Sequence, residues 1–238
     1  MGTYPELKVA VFADGANREE MVKRHREGFV RGFTTNPTLM NKAGVRDYEA
    51  FARSVLAEIT TLPISFEVFS DELPEMERQA KKIGSWGPNV NVKIPITNTR
   101  GESSIPLIRR LFDAGLKLNV TAVFTDEQIG ALRELTRPTD DLILSVFAGR
   151  IADTGVDPMP VMRRAVEVFR DLPGAKVLWA SPREALNVFQ AEACGCHVIT
   201  CTDDLIAKLK NHGKDLARFS LETVKMFRDD AARAGFSL

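Results

Sequence analysis

Two hydrophobic periodicities alternate along this chain. Short runs rich in β-branched and aromatic residues read as strands: KVAVFAD (Lys8 to Asp14), GFTTN (Gly32 to Asn36), ISFEVF (Ile64 to Phe69) and VNVKIPI (Val90 to Ile96). KLNVTAVF (Lys117 to Phe124), LILSVFAG (Leu142 to Gly149), AKVLWAS (Ala175 to Ser181) and HVITC (His197 to Cys201) complete a set of eight. They recur roughly every 25–30 residues, the length of a strand plus its returning helix. The segments between them carry apolar residues at helical spacing. After the N-cap candidate Asp47, the residues Tyr48, Phe51, Ala52, Val55, Leu56 and Ile59 share one face. Thr125 and Gln128 have capping-box spacing ahead of Ile129, Leu132 and Leu135. Asp157-Pro158 is a good start for the helix of Val161, Met162, Ala165, Val166 and Phe169. A short helix after the eighth strand runs to about Lys210 and stops at Gly213, and a final one spans Asp215 to Arg233.

Eight strand–helix units without a linker or a break in composition predict one α/β domain over residues 1–238, a closed parallel (β/α)8 TIM barrel. The 238 residues suit that fold, which typically takes roughly 250. The competing open, doubly wound sheet usually has a Gly-rich turn after its first strand, and Asp14-Gly15-Ala16-Asn17 matches G-x-G-x-x-G poorly. The helix over 215–233 is extra to the barrel.

Charge narrows the function. Lys+Arg and Asp+Glu each total 32, a balance that argues against a general nucleic-acid or membrane-surface binder. Cys194, Cys196 and Cys201 are an odd number, clustered late, and read as small buried residues rather than a disulfide framework or a metal pair. No apolar run approaches the ~20 residues of a membrane span, and the start of the chain lacks a signal-peptide pattern. The expectation is a soluble cytoplasmic protein.

The chemistry is carried by polar residues that interrupt the strands. Side chains alternate along a strand, so one parity points into a barrel and the other toward the helices. In VNVKIPI, Asn91 and Lys93 oppose Val90, Val92, Ile94 and Ile96. Strand three sets Ser65 and Glu67 against Ile64, Phe66 and Val68. Strand five sets Asn119 and Thr121 against Leu118, Val120, Ala122 and Phe124. Asp14, Thr34, Asn36, Ser145 and Ser181 stand near the ends of their strands. These residues are predicted to converge at the C-terminal mouth, where barrel enzymes keep their active sites. For a single Ser or Thr, a polar interior layer satisfied by hydrogen bonds reads equally well. For Lys93, Glu67 and Asp14 together it reads less well, because ionised groups are rarely buried without partners or a purpose. An ordinary lysine has a pKa of about 10.4 and is protonated. Burial among apolar strands disfavours the charged form, and a neutral amine attacks carbonyls to give imines. The alternative is a Lys93–Glu67 pair kept for stability, and buried pairs are weak stabilisers.

With these residues in view, the sequence resembles the transaldolase family, in particular its small transaldolase and fructose-6-phosphate aldolase-like members. FADGAN, GFTTNPTLM, SFEV, NVNVKIPIT, LNVTAVFT, SVFAGRIAD and WASPR occur in family order over nearly the whole chain. The resemblance implies a class I aldolase mechanism with no metal and no cofactor. By motif, it implies that Lys93 is the Schiff-base lysine, that Asp14 is the general acid/base on the substrate hydroxyl, and that Glu67 and Thr121 hold a water for proton transfer. It implies that Asn36 and Asn119 bind the hydroxyls of a three-carbon unit and that Ser145 contacts substrate near the imine. It implies that Arg150, Ser181 and Arg183 hold a distal phosphate. The substrates implied are small sugar phosphates, and the assembly implied is a homo-oligomer to which the last helix contributes. Relatives that act as simple aldolases tend to carry Gln at the Glu67 position and Tyr at the Phe147 position. Glu67 and Phe147 match true transaldolases, which transfer a dihydroxyacetone unit between phosphorylated sugars in the pentose phosphate pathway. The alternatives are a simple aldolase, a transaldolase for another anionic sugar, and a non-catalytic sugar-phosphate binder. Departures from the family pattern fall at Gly15, Val146 and Pro182 and after Thr200, around the distal-group pocket and the Asp14 turn.

Overall fold

A computed structural model describes residues 3–237. The eight strands close into a parallel barrel in sequence order, with β1 (Ala10–Asp14) also paired to β8 (Val198–Cys201). Between them lie β2 (Gly32–Thr34), β3 (Ile64–Glu67), β4 (Val90–Pro95), β5 (Leu118–Val123), β6 (Leu142–Val146) and β7 (Ala175–Trp179). The predicted (β/α)8 barrel is present, with each strand shorter than its apolar run.

Two strands end early for local reasons. β2 stops before Asn36 because the Asn36 side chain caps a short helix, α2 (Pro37–Lys42), accepting the Leu39 N–H at 2.9 Å, with Pro37 pre-set in the first turn. β6 stops before Phe147 because residues predicted as strand form another short helix, α7 (Ala148–Ala152). Gly149 sits there against backbone: a methyl group on it would lie 1.5 Å from the Ser181 carbonyl oxygen. The remaining segments hold α1 (Arg18–Glu27), α4 (Leu73–Gly84), α5 (Ile105–Asp113), α8 (Met159–Val168), α9 (Leu186–Ala193) and α10 (Asp203–Lys208), and the expected helices follow their caps. Asp47 accepts the Ala50 N–H to start α3 (Tyr48–Leu56), and Thr125 with Gln128 makes a full capping box on α6 (Asp126–Leu135).

Outside the end of β5, inward and outward parities separate cleanly. Outward residues such as Val92, Ile94, Leu118, Val120, Leu144 and Val177 are fully buried under the helices. Inside the barrel, Phe12, Ile143, Leu178 and Val198 form a separate apolar cluster. Gly32 makes room for this plug, since a methyl group there would come within 2.6 Å of the Phe12 ring. The plug divides the inward polar residues: Asn91, two residues earlier in its strand than Lys93, lines the cavity at the N-terminal end and not the C-terminal mouth expected for it, while Asp14, Thr34, Lys93, Thr121 and Ser145 gather at the C-terminal end.

Strand β5 departs from strict alternation. Its register against β6 slips between Val120 and Val123, and Ala122 takes a left-handed φ of 58°. Ala122 and Phe124, expected to follow Val120 outward, therefore do not. Val123 takes the outward place, fully buried, and Phe124 packs on Phe147 with ring centroids 5.7 Å apart.

Cys194, Cys196 and Cys201 are all free and buried, and burial pushes the Cys196 and Cys201 thiols up to about 12. Helix α11 (Leu216–Ala234) has no buried residue; Leu216, Val224 and Phe227 on it stand exposed. Among the described residues, no helix is long and apolar enough to cross a membrane.

Candidate active site

Register carries the inward polar residues around the barrel wall. Asp14 is level with Thr34, Thr34 with Ser65, Glu67 with Lys93, and Lys93 with Asn119. They meet at a cavity of about 110 Å³ lined by Asp14, Thr34, Asn36, Lys93, Thr121, Ser145, Phe147, Arg150, Ser181 and Thr200. A larger cavity of about 380 Å³ opens at the other end of the barrel, around Phe12, Asn89, Lys117 and Lys176, beyond the apolar plug and away from these residues.

Lys93 is 7% exposed, so its amine is nearly cut off from solvent. The Nζ atom lies 3.0 Å from Glu67 Oε2 and donates to the Thr35 carbonyl at 3.3 Å. Asp14, which lines the same cavity, accepts from Thr34 Oγ1 at 2.7 Å. Burial pushes the Asp14 carboxyl above its ordinary range, while the Lys93 charge and the Thr34 hydroxyl pull it partly back. A carboxylate in that state is a stronger base than one in water and holds a proton closer to neutral pH.

A hydrogen-bonded row crosses the floor. Ser145 Oγ donates to Asn119 Oδ1 at 2.7 Å, and Asn119 Nδ2 donates to Ser65 Oγ at 3.0 Å. This fixes the Asn119 amide and leaves Ser145 at the cavity wall. The Thr121 hydroxyl is buried beside Lys93 and makes no hydrogen bond to protein among the described residues. Asn36 lines the cavity while its Oδ1 caps α2, which leaves its NH2 group as the available donor.

The rim is less uniform. Arg150 is exposed, lines the cavity, and sits over the Phe147 ring at 5.9 Å from the centroid. Ser181 lines the cavity in a left-handed conformation with φ 61°. Strain at a non-glycine residue costs on the order of 1–3 kcal/mol and clusters at functional sites. Arg183 is not among the lining residues. Its guanidinium forms a two-point pair with Asp153, one bond being 2.9 Å from Nε, which holds the Asp153 carboxyl below its usual range. Ten of the eleven residues singled out from sequence thus lie on this cavity or bond directly to residues that do; Arg183 stands outside it.

Sequence reasoning missed Thr200, Thr35 and Tyr48. Thr200 Oγ1 shares a hydrogen bond with Thr34, and it could have been found by extending the inward parity of HVITC. Thr35 contributes backbone, which leaves no signal in residue type. Tyr48 gave the signal of an apolar helix face. Among the described residues, no group of three or more His, Cys, Asp or Glu is placed to hold a metal ion.

The sequence model of the Transaldolase/Fructose-6-phosphate aldolase family matches residues 11–238. A probable transaldolase of Maridesulfovibrio salexigens is 34% identical over 220 residues, covering 90% of this chain and 98% of that one. One from Dehalococcoides mccartyi is 32% identical over 215 residues, covering 88% and 95%. One from Streptococcus equi subsp. zooepidemicus is 36% identical over 203 residues, covering 84% and 90%. Among solved structures, 2,3-dimethylmalate lyase of the PEP mutase/isocitrate lyase superfamily superposes with a TM-score of 0.56 at 13% identity, over 97% of this chain and 85% of that one, a likeness of fold alone. Family match, near full-length relatives and barrel architecture agree: this chain belongs to the transaldolase/fructose-6-phosphate aldolase family.

Proposed function

We propose that the protein is a transaldolase that moves a dihydroxyacetone unit from a ketose phosphate to an aldose phosphate through an imine on Lys93. The observation that carries this reading is the buried Lys93 amine, 3.0 Å from the Glu67 carboxylate and facing the same small cavity as Asp14. The amine adds to the ketose carbonyl, and loss of water gives a protonated imine. Glu67 takes up and returns the protons of that exchange, and the Thr121 hydroxyl, which makes no hydrogen bond to protein among the described residues, faces the same cavity as Lys93. Asp14 removes the proton from the C4 hydroxyl. The C3–C4 bond then breaks, its electron pair enters the imine, and the aldose departs. Addition of the resulting enamine to a second aldose reverses these steps. Asn36, Asn119 and Ser145 supply hydrogen bonds for the hydroxyls of the retained unit. Arg150 and Ser181 are the nearest groups for a distal phosphate, with Arg183 joining them if it leaves Asp153.

Glu67 and Phe147 favour transfer over release of free ketone. The test is a coupled assay for free dihydroxyacetone from fructose 6-phosphate with and without an acceptor aldose phosphate. Transfer predicts sustained turnover only when acceptor is present, with a single equivalent of aldose released without it; steady release of ketone without acceptor means a simple aldolase.

The same proposal extends to assembly and place. Exposed Leu216, Leu221, Val224, Met226 and Phe227 make α11 a face that water covers poorly, and association with further copies of the chain would shield it. Sugar phosphates and reduced cysteines suit the cytoplasm.

A further inference from the structure

Tyr48 reads in the sequence as one member of an apolar helix face, yet its hydroxyl is engaged with the backbone of Glu67. It accepts the Glu67 N–H at 2.8 Å and donates to the Glu67 carbonyl at 2.9 Å. The reason lies in the short second strand. Thr35 N–H to Ser65 O, at 3.0 Å, is the last backbone bond between the β2 segment and β3. Beyond it the chain turns into α2 at Asn36. On its other side, the end of β3 is still paired, with Val68 N–H donating to the Lys93 carbonyl at 3.0 Å. The Glu67 N–H and C=O thus point to where β2 no longer runs, and leaving them bare would be costly. The Tyr48 hydroxyl, both donor and acceptor, stands in for one residue of the missing strand.

The tyrosine is itself fixed. It begins α3 directly after the Asp47 cap. Its ring is held edge-on by Phe66, Phe69 and Trp86 at centroid distances of 6.3, 5.8 and 5.7 Å. Burial pushes its hydroxyl pKa well up, so it stays protonated and able to donate.

We propose that Tyr48 is a positioning residue for imine formation: by bonding both backbone groups of Glu67 it sets the carboxylate against the Lys93 amine. This rests on the roles given above to Lys93 and Glu67. Tyr48 touches neither the cavity nor the reacting atoms, and it acts through Glu67. An unsupported strand end is free to shift, and a misplacement near 1 Å costs about a hundredfold in rate.

The test is a mutant cycle of Tyr48→Phe, Glu67→Gln and the double variant, following the single-turnover rate at which borohydride-trappable imine appears with fructose 6-phosphate. Phenylalanine keeps the ring packing and removes only the hydroxyl. Expected for Tyr48→Phe is a rate about ten- to a hundredfold lower, with the donor KM within about twofold. In the Glu67→Gln background, the same change should have little further effect, because its target is gone. A merely structural role predicts losses that multiply, and that result overturns the proposal, as does a wild-type rate in Tyr48→Phe. Should Tyr48→Phe not fold, hydrogen exchange on the wild-type protein decides: the Glu67 amide should be as protected as that of Phe66, and exchange at loop rates overturns the placement. If the wild type forms no imine, the functional reading itself fails. If it does and Glu67→Gln slows it while Tyr48→Phe does not, only the positioning role fails.

Discussion

Replacing Gly149 by alanine tests how the rim of the site is built. The added methyl would stand 1.5 Å from the Ser181 carbonyl oxygen and 2.5 Å from its carbonyl carbon, both backbone atoms. Real side-chain carbons essentially never come within 3.0 Å, so α7 and the Ser181 segment must part by about 1.5 Å. One side of that gap carries Arg150 and the other Ser181, both lining the cavity. Alanine in a helix gains about 1 kcal/mol over glycine, and overpacking costs roughly 1–3 kcal/mol, so the net effect on stability is a modest loss. For a chain of this size, 1 kcal/mol moves Tm by about 2–4 °C. The effect on catalysis is larger, because a misplacement of about 1 Å in positioning groups costs roughly a hundredfold. Gly130→Ala is the matched control: it lies in α6 with nothing within 4 Å of the added methyl, and Tm should rise by about 2–4 °C with kcat/KM unchanged. Melting curves and kcat/KM on both variants make the comparison. Wild-type kcat/KM with an unchanged Tm in Gly149→Ala would refute the packing argument.

Three further outcomes follow from the geometry. Asp14→Asn should stabilise the fold at neutral pH while lowering kcat by about 10²–10⁴-fold. The raised folded pKa of Asp14 means that its ionised form is disfavoured in the native state. That cost is absent below the unfolded value of about 3.9 and grows as pH rises through the folded value, so the Tm gain should vanish near pH 3 and be full at alkaline pH. Asp153→Asn should release Arg183 and raise kcat/KM about two- to fivefold for a phosphorylated donor relative to its unphosphorylated counterpart; an unchanged ratio means that Arg183 takes no part in binding. Removing residues after Gly213 should lower the subunit number seen by sedimentation, and an unchanged number would place the contact elsewhere.

The barrel was legible because its signal is periodic. Parity in β3 and β4 places Glu67 and Lys93 inside without knowledge of any other strand, and register then sets them side by side. Parity failed where the backbone departs from regularity. The left-handed Ala122 has no marker in its residue type, so Phe124 was assigned to the wrong face. SVFAG read as continuous strand because its apolar run does not show that Gly149 abuts the Ser181 carbonyl. Arg183 was placed at the distal pocket by motif, but motif says nothing of Asp153, thirty residues earlier in the chain, which holds it. Tyr48 was missed because a buried tyrosine contributes an apolar ring to the pattern, while its hydroxyl answers a shortfall created by where β2 ends.

The central claim is that the Lys93 amine bonds covalently to a ketose carbonyl. Intact-protein mass after borohydride reduction with fructose 6-phosphate tests it most directly, comparing wild type with Lys93→Met. The account predicts a reduced three-carbon adduct on wild type alone, mapped to Lys93. A three-carbon adduct on another lysine, or on both proteins alike, would contradict it.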